Sequence, residues 1–410
     1  MNELQLQQLF DQAAVTRTSG TPQELACAQF LQAQCQALGL QAAIEPFAVP
    51  MARIDEASLT VDGQAIPCRG YLCAGNGEVE APLIYLPSLD RYSLSQARGC
   101  TALIDGGVGY WAFKDLVQAG VVGVISYDGD INYADCDIDQ KELRSYVSEG
   151  VKLPCVSIHA KRAVELVRSG AKTAKIVLRQ TEWEGQSQNV VLDLPGQSSE
   201  QIILTAHYDS TWLSSGAYDN LSGSLGLLGI AEHFLTHPHQ RSLRFIWCGS
   251  EERGLLGSKA WTAAHAEELD KHVLMINVDV AAATLGQNAA PVLATEAAVG
   301  YVDALMREAG FACQVKLDIY SSDCIPFADK GVPAVNLCRF GAPGANYIHD
   351  RRDSLKSAYI DEKSLDITLQ QALFLARRVV NAASFPIARE ISGEIRDKVD
   401  EYLFRKEAKK

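Results

Sequence analysis

Apolar positions follow two different rhythms along this chain. Across residues 22–38, PQELACAQFLQAQCQAL, Leu25, Ala28, Phe30, Leu31 and Leu38 recur near helical spacing, and Gly39 marks the stop. QAAIEPFAV then predicts a strand closed by Pro50. From about residue 51 the texture changes to short strand-like runs, ASLTV, PLIYL, TALID, VVGVISY, CVSI and KIVL, punctuated by Gly, Asp and Asn turns. One helical stretch, WAFKDLVQAG, precedes VVGVISY, and the polar, irregular residues 129–150 predict a mobile excursion. From NVVLDLPG onward, strand and helix alternate. QIILTAHYDS, SLRFIWCGS, HVLMINVDV and AVNLCRF predict strands. NLSGSLGLLGIAEHFL, LGSKAWTAAHAEEL, EAAVGYVDALMREAG and the long DEKSLDITLQQALFLARRVVNAA predict helices.

Alternation of this kind predicts an α/β fold with a doubly wound, mostly parallel sheet and helices on both faces. The N-terminal helix and strand are expected in the same layer. The expected domains are therefore 1–50 with 186–390, an inserted β-rich block at 51–185, and a charged, solvated tail at 391–410.

Composition narrows the function classes. The length of 410 residues suits two to three domains, and 47% apolar with 21% charged residues suits a folded chain. The net charge of −13 would repel a phosphate backbone, which weighs against nucleic acid as partner. The lack of an 18-residue apolar run predicts no membrane-spanning helix, and the polar N-terminus does not read as a signal peptide. Eleven cysteines, an odd number with irregular spacing and no CxxC, predict reduced thiols and a cytoplasmic setting.

Candidate chemistry gathers at strand ends. QIILTA runs into His207, LRFIWCGS into Glu251 and Glu252, VLMINV into Asp279, and AVNLCRF leads through a Gly-rich loop to His349. Asp219 lies in GAYDNLSG, just before a helix. Open α/β sheets collect ligands outside the carboxyl ends of their strands. Two imidazoles and three carboxylates suit zinc, and five ligands exceed one tetrahedral site, so two metals sharing Asp219 are expected. Glu251 and Glu252 are adjacent, which suits one as ligand and the other as proton acceptor. Asp209 follows His207 by two residues, shares its strand face, and is placed to orient the imidazole. The remaining histidines, His159, His233, His237, His239, His265 and His272, have no matching carboxylate pattern and read as structural or exposed.

In order, HYDS, DNLSG, SEERGLLGS, NVDV and IHDRRDSL resemble the co-catalytic di-zinc exopeptidase family of the bacterial aminopeptidases, aminopeptidase Y and the glutamate carboxypeptidases. The resemblance covers roughly 190–380, and RTSGTPQELACAQFLQAQCQALGL is similar to that family's start. It implies a zinc exopeptidase (phosphorylase/hydrolase-like) fold and two zinc ions. His207 and Asp279 would bind one, Glu252 and His349 the other, with Asp219 bridging. It further implies that Glu251 is the general base for a metal-bridging hydroxide, with Asp209 behind His207. Asp353 falls where relatives carry an acidic residue after the last histidine. Residues 60–180, with TALIDGGVGYWAFKDLVQAGVVGVISYDGD, resemble a protease-associated domain.

Two positions depart from the family pattern. Tyr347 is separated from His349 by Ile348, where relatives often place the tyrosine directly before the histidine. In SSDCIPFADKGVPAV, Cys324 stands where a histidine is common, beside a retained Asp323. The expected activity is removal of the N-terminal residue of a peptide, with an acidic rim holding the substrate ammonium. The alternatives are a carboxypeptidase or dipeptidase on the same scaffold, with Arg339, Arg351 or Arg352 as anchor, and a non-catalytic binding protein. No side-chain preference or oligomeric state follows from the sequence; a homo-oligomer stays open.

Overall fold

The computed structural model describes residues 3–132, 138–344, 347–357 and 359–406. The chain opens with helices α1 (Glu3–Ala13) and α2 (Pro22–Ala37) and strand β1 (Ala43–Val61). Then come β2 (Gly77–Tyr85), β3 (Thr101–Asp105), α3 (Tyr110–Ala119), β4 (Gly123–Asp128), β5 (Cys155–His159), α4 (Ala160–Ser169) and β6 (Thr173–Leu194). The series β7 (Ser198–His207), α5 (Ser222–Thr236), β8 (Arg241–Cys248), α6 (Leu256–Ala264), β9 (His272–Val278) and β10 (Gly286–Leu293) follows. The last elements are α7 (Glu296–Glu308), β11 (Gln314–Leu317), α8 (Cys324–Asp329), β12 (Ala334–Gly341), α9 (Glu362–Val380) and α10 (Gly393–Tyr402). Two compact units result, Met1–Phe47 with Gln186–Lys410, and Ala48–Gly185.

In the larger unit the strands order as β11-β10-β12-β9-β7-β8 and the C-terminal end of β6. The four central strands, β12, β9, β7 and β8, are parallel, and antiparallel pairs flank them. Neighbouring residues on one strand enter opposite cores, as the two-residue strand period requires. Ile202 and Leu204 pack with α5 and α9 through Leu225 and Ala372. Ile203 packs on the other face with Trp261, Phe327 and Ile395. Strands buried on both faces explain the unbroken apolar runs IILTA and VLMINV.

The smaller unit is built around the parallel strands β2, β3, β4 and β5. Ala102 and Val124 face Phe113 of α3, while Leu103 and Ile125 face Leu166 of α4. It is thus a small α/β sandwich in its own right, a finer picture than a β-rich block.

Three expectations are corrected. Pro50 does not close a strand, because β1 runs on to Val61; proline's fixed φ is compatible with extended backbone, and only its N–H is lost. The tail after 390 is not a solvated helix. Ile391, Ile395 and Val399 are buried against Leu269 and Phe327, so α10 belongs to the core of the larger unit. Its charged residues occupy the other faces of the helix. Within 129–150, residues 133–137 lie outside the described residues, but Leu143 and Val147 are buried in the core of the smaller unit.

Candidate metal centre

Register brings the first two donors together. Cys248 of β8 pairs with His207, and Asn277 of β9 pairs with Thr205, so Asp279, two residues on, lies level with His207. A polar ladder crosses the sheet below them: Thr205 Oγ1 to Asn277 Oδ1 at 2.5 Å, and Asn277 Nδ2 to Asn336 Oδ1 at 2.8 Å.

Asp219 arrives from the turn Ala217–Leu221 before α5, and the peptide that follows it is cis. Its neighbour Asn220 staples this turn to the end of β9, donating to Val278 O at 2.9 Å and accepting from Val280 N at 3.2 Å. These two bonds flank Asp279. Gly223 must be glycine here, because a Cβ would meet Val278 O at 2.4 Å. Asp353 holds the same turn from the far side, accepting from Tyr218 N at 2.8 Å and Asp219 N at 3.1 Å.

Glu251 and Glu252 leave β8 through a turn in which Ser250 has φ +55°. Asp209 receives the next two N–H groups, Glu251 N at 3.0 Å on Oδ1 and Glu252 N at 3.2 Å on Oδ2. The same carboxylate stands 3.4 Å from His207 Nδ1. In GLLGS, Gly257 allows α6 to start against the strand end, since a Cβ there would lie 2.3 Å from Gly249 O.

The donors converge in two overlapping sets, His207 with Asp219 and Asp279, and Asp219 with Glu252 and His349. Asp219 contributes one oxygen to each. Oδ1 lies 3.0 Å from His207 Nε2, and Oδ2 lies 3.2 Å from His349 Nε2. Asp279 Oδ1 is 3.5 Å from His207 Nε2, and Glu252 Oε2 is 3.1 Å from His349 Nε2. His207, Asp219 and Asp279 are 1%, 7% and 3% exposed. The His349 side chain is 48% exposed, so the centre opens to solvent on that side.

Burial and mutual repulsion shape the electrostatics of the cluster. Burial lifts Glu251 well above the usual carboxylate range, with His207 opposing and Glu252 adding to the rise. Burial likewise raises Glu252 and Asp279. Burial would also raise Asp219, but His207 and His349 reverse it and hold it low. Burial opposes charge on both imidazoles, and the carboxylates around them overcome it and hold them well above the ordinary histidine value. Buried carboxylates crowded in this way call for positive charge. Asp279 Oδ1 is buried without a hydrogen-bond partner. The nitrogen and oxygen donor set suits zinc, so the residues fit the two ions expected of them.

The other nominated residues divide. Asp323 and Cys324 are fully buried at the start of α8, and burial pushes Asp323 up to about 6. Tyr347 has Arg352 stacked 3.5 Å from its ring centroid, and its hydroxyl is 3.5 Å from Gly344 O. Arg339 donates to Ala283 O at 2.7 Å and Asn288 Oδ1 at 2.8 Å. Arg352 pairs with Asp350 at 2.5 Å, and Arg351 is exposed. His159 caps α4, His233 stacks on His237, and His265 faces Glu45 at 3.0 Å. Sequence reasoning did not foresee Asn220, Arg17 or Glu24. For Asn220 the signal was present in DNLSG; for Glu24 it was an acidic residue on the apolar stripe of α2.

Comparison with known proteins agrees with this architecture. Aminopeptidase YwaD of Bacillus subtilis is 26% identical over 361 residues, 83% of this chain and 76% of that protein. The probable lipoprotein aminopeptidase LpqL of Mycobacterium tuberculosis is 26% identical over 285 residues, 65% of this chain but 55% of its own length. Among solved structures, an aminopeptidase from Aneurinibacillus sp. strain AM-1 superposes with TM-score 0.76 at 20% identity, covering 94% of this chain and 96% of that one. A zinc aminopeptidase from Bacillus subtilis gives TM-score 0.75 at 23% identity, covering 95% and 98%. Both structures share the fold. Residues 189–376, which supply every donor of the cluster, match the model of peptidase family M28.

Proposed function

We propose that the chain is a zinc-dependent aminopeptidase that hydrolyses the N-terminal peptide bond of a peptide. The observation that carries this reading is Asp219, whose two oxygens serve two separate donor sets. His207, Asp219 and Asp279 would hold one zinc ion, and Asp219, Glu252 and His349 the other. Bound zinc supplies Lewis acidity and brings the pKa of a water down to about 7.

The chain's own groups do the rest. Glu251, with its proton affinity raised by burial, accepts the proton of the attacking water on a carboxylate oxygen and returns it to the leaving amine. Asp209 fixes the direction of Glu251 and Glu252 through their N–H groups and stands behind His207. Arg339 and Arg352 are engaged with partners of their own, which weakens the carboxypeptidase alternative. Under the same proposal the unit Ala48–Gly185 is a protease-associated domain. Among the described residues the cysteines form no disulfide, which supports the reading of a reducing, cytoplasmic setting. No helix among the described residues is long and apolar enough to cross a membrane.

The test compares one peptide in four forms, free or blocked at each end, with products read by mass spectrometry. N-acetylation removes a charge-assisted contact worth roughly 1.5–3 kcal/mol, so turnover should fall more than about tenfold. C-terminal amidation should change it little. The reverse pattern would sink the aminopeptidase reading and leave the metal centre standing.

A further inference from the structure

Residues 17–24, RTSGTPQE, supply no donor to the metal centre and lie outside the M28 segment. Three of their side chains nevertheless reach the loops that carry those donors. Arg17 is fully buried and donates to Tyr208 O, Ser215 O and, at 2.9 Å, Gly216 O, all between His207 and Asp219. Ser19 Oγ is 2.5 Å from Ser250 Oγ.

Glu24, like Arg17, has 0% exposure. Its Oε1 accepts from Ser250 N at 3.0 Å, Ser250 Oγ at 3.2 Å and Ser187 Oγ at 2.8 Å, and its Oε2 from Gly20 N at 2.6 Å. Ser250 is a non-glycine residue at φ +55°, a conformation that costs energy unless its surroundings hold it. The next two N–H groups end on Asp209. Three successive amides, 250 to 252, therefore end on two buried carboxyl groups, Glu24 and Asp209. Asp209 comes with the strand that carries His207. Glu24 comes from a helix more than two hundred residues earlier in the chain.

We infer that Glu24 is a positioning residue for Glu251: by holding Ser250 in its left-handed conformation, it sets the direction in which Glu251 leaves β8. This rests on Glu251 as the general base. Small displacements of a reacting group cost rate steeply, about 10²-fold for 1 Å.

The experiment uses the full chain loaded with zinc and the variants Glu24→Ala, Glu24→Gln and Glu251→Gln, alone and combined. Glu24→Ala should lower kcat by about 10–100-fold, with KM and zinc content close to wild type. Amide hydrogen exchange should quicken in the peptide containing residues 250–252. Glu24→Gln should recover part of both, because its carbonyl oxygen still accepts from Ser250. Adding Glu24→Ala to Glu251→Gln should slow the enzyme no further. A multiplicative loss in the double variant, or unchanged kcat and exchange in Glu24→Ala, would overturn the inference. If Glu24→Ala does not fold, the same readings on Glu24→Gln decide, unchanged kcat and exchange again overturning it. Full activity in Glu251→Gln alone would remove the base assignment instead, while exchange at 250–252 would still report whether Glu24 holds the turn.

Discussion

In the smaller unit Asp105, Asp128 and His159 close the parallel strands β3, β4 and β5; in the larger, His207 closes β7 and Asp279 follows β9. The residue types match, and so does the place in the sheet. Their surroundings differ. Asp128 Oδ2 lies 2.5 Å from Lys141 Nζ, and His159 Nδ1 accepts from Lys161 N at 3.2 Å as the cap of α4. Asp105 is exposed. The carboxylate charge there is met by a lysine and by water. In the larger unit, Asp219, Glu252 and Asp279 crowd around two imidazoles, and under the proposed function bound zinc meets their charge. The strand-end rule thus finds candidates, and the local balance of charge decides which of them form a site.

The largest effect expected from this comparison is at Glu251. Glu251→Gln keeps the size and the metal donors but removes the proton acceptor, so the rate should fall by about 10²–10⁴-fold. Zinc content, measured by elemental analysis, should stay at the wild-type level. Activity within a few-fold of wild type would shift the base role away from this residue.

Next comes Asp219, which should separate the two units cleanly. Protein purified without chelator should approach two zinc equivalents per chain, and Asp219→Ala should bring it below that. Asp128→Ala should leave it unchanged, because its partner is Lys141. Equal zinc loss in both variants would break the charge-balance argument.

How far the sequence led is visible at particular residues. His207, Asp279 and Glu252 were legible because each ends an apolar run, and a strand end is a place that periodicity can locate. Asp219 and His349 were legible through spacing and motif. The grip on their loops was not. Asp353 reaches two amides 134 and 135 residues away, and Glu24 reaches one 226 residues away. No local pattern encodes such pairings, since they depend on how the helices settle on the sheet. The tail misled for a related reason: Ile395 and Val399 are two apolar residues in a charged helix, and only the packed structure shows them against Phe327.

A smaller effect is expected from His159→Ala, which removes the side-chain cap of α4. Loss of a helix cap typically costs about 1 kcal/mol. Thermal or denaturant unfolding should show a decrease of that order, with kcat within about twofold of wild type and zinc content unchanged. A loss of zinc would mean that the strand ends of the smaller unit also bind metal.

The smallest effect concerns pH and the Asp128–Lys141 pair. Burial alone would raise the Asp128 carboxyl, but Lys141 overcomes it and holds the group below its ordinary value of 3.8. A carboxylate with a depressed folded-state pKa contributes stability that is present above the unfolded pKa and lost as pH falls through the folded one. The contribution should therefore be complete near neutral pH and fade below about pH 4. Its size is modest, because the side chains of Lys141 and Asp128 are 26% and 42% exposed and water screens them. About 0.2–1 kcal/mol is reasonable for such a pair. Asp128→Asn keeps the oxygen that accepts from Gly129 N and removes only the charge. The stability gap between wild type and Asp128→Asn should be open at pH 7 and shrink steadily as pH falls below about 4, and high salt should narrow it at pH 7. A gap that did not shrink as pH fell would show that shape, rather than charge, holds Asp128 in place. The contrast between a strand end neutralised by lysine and one left for metal would then lose its physical basis.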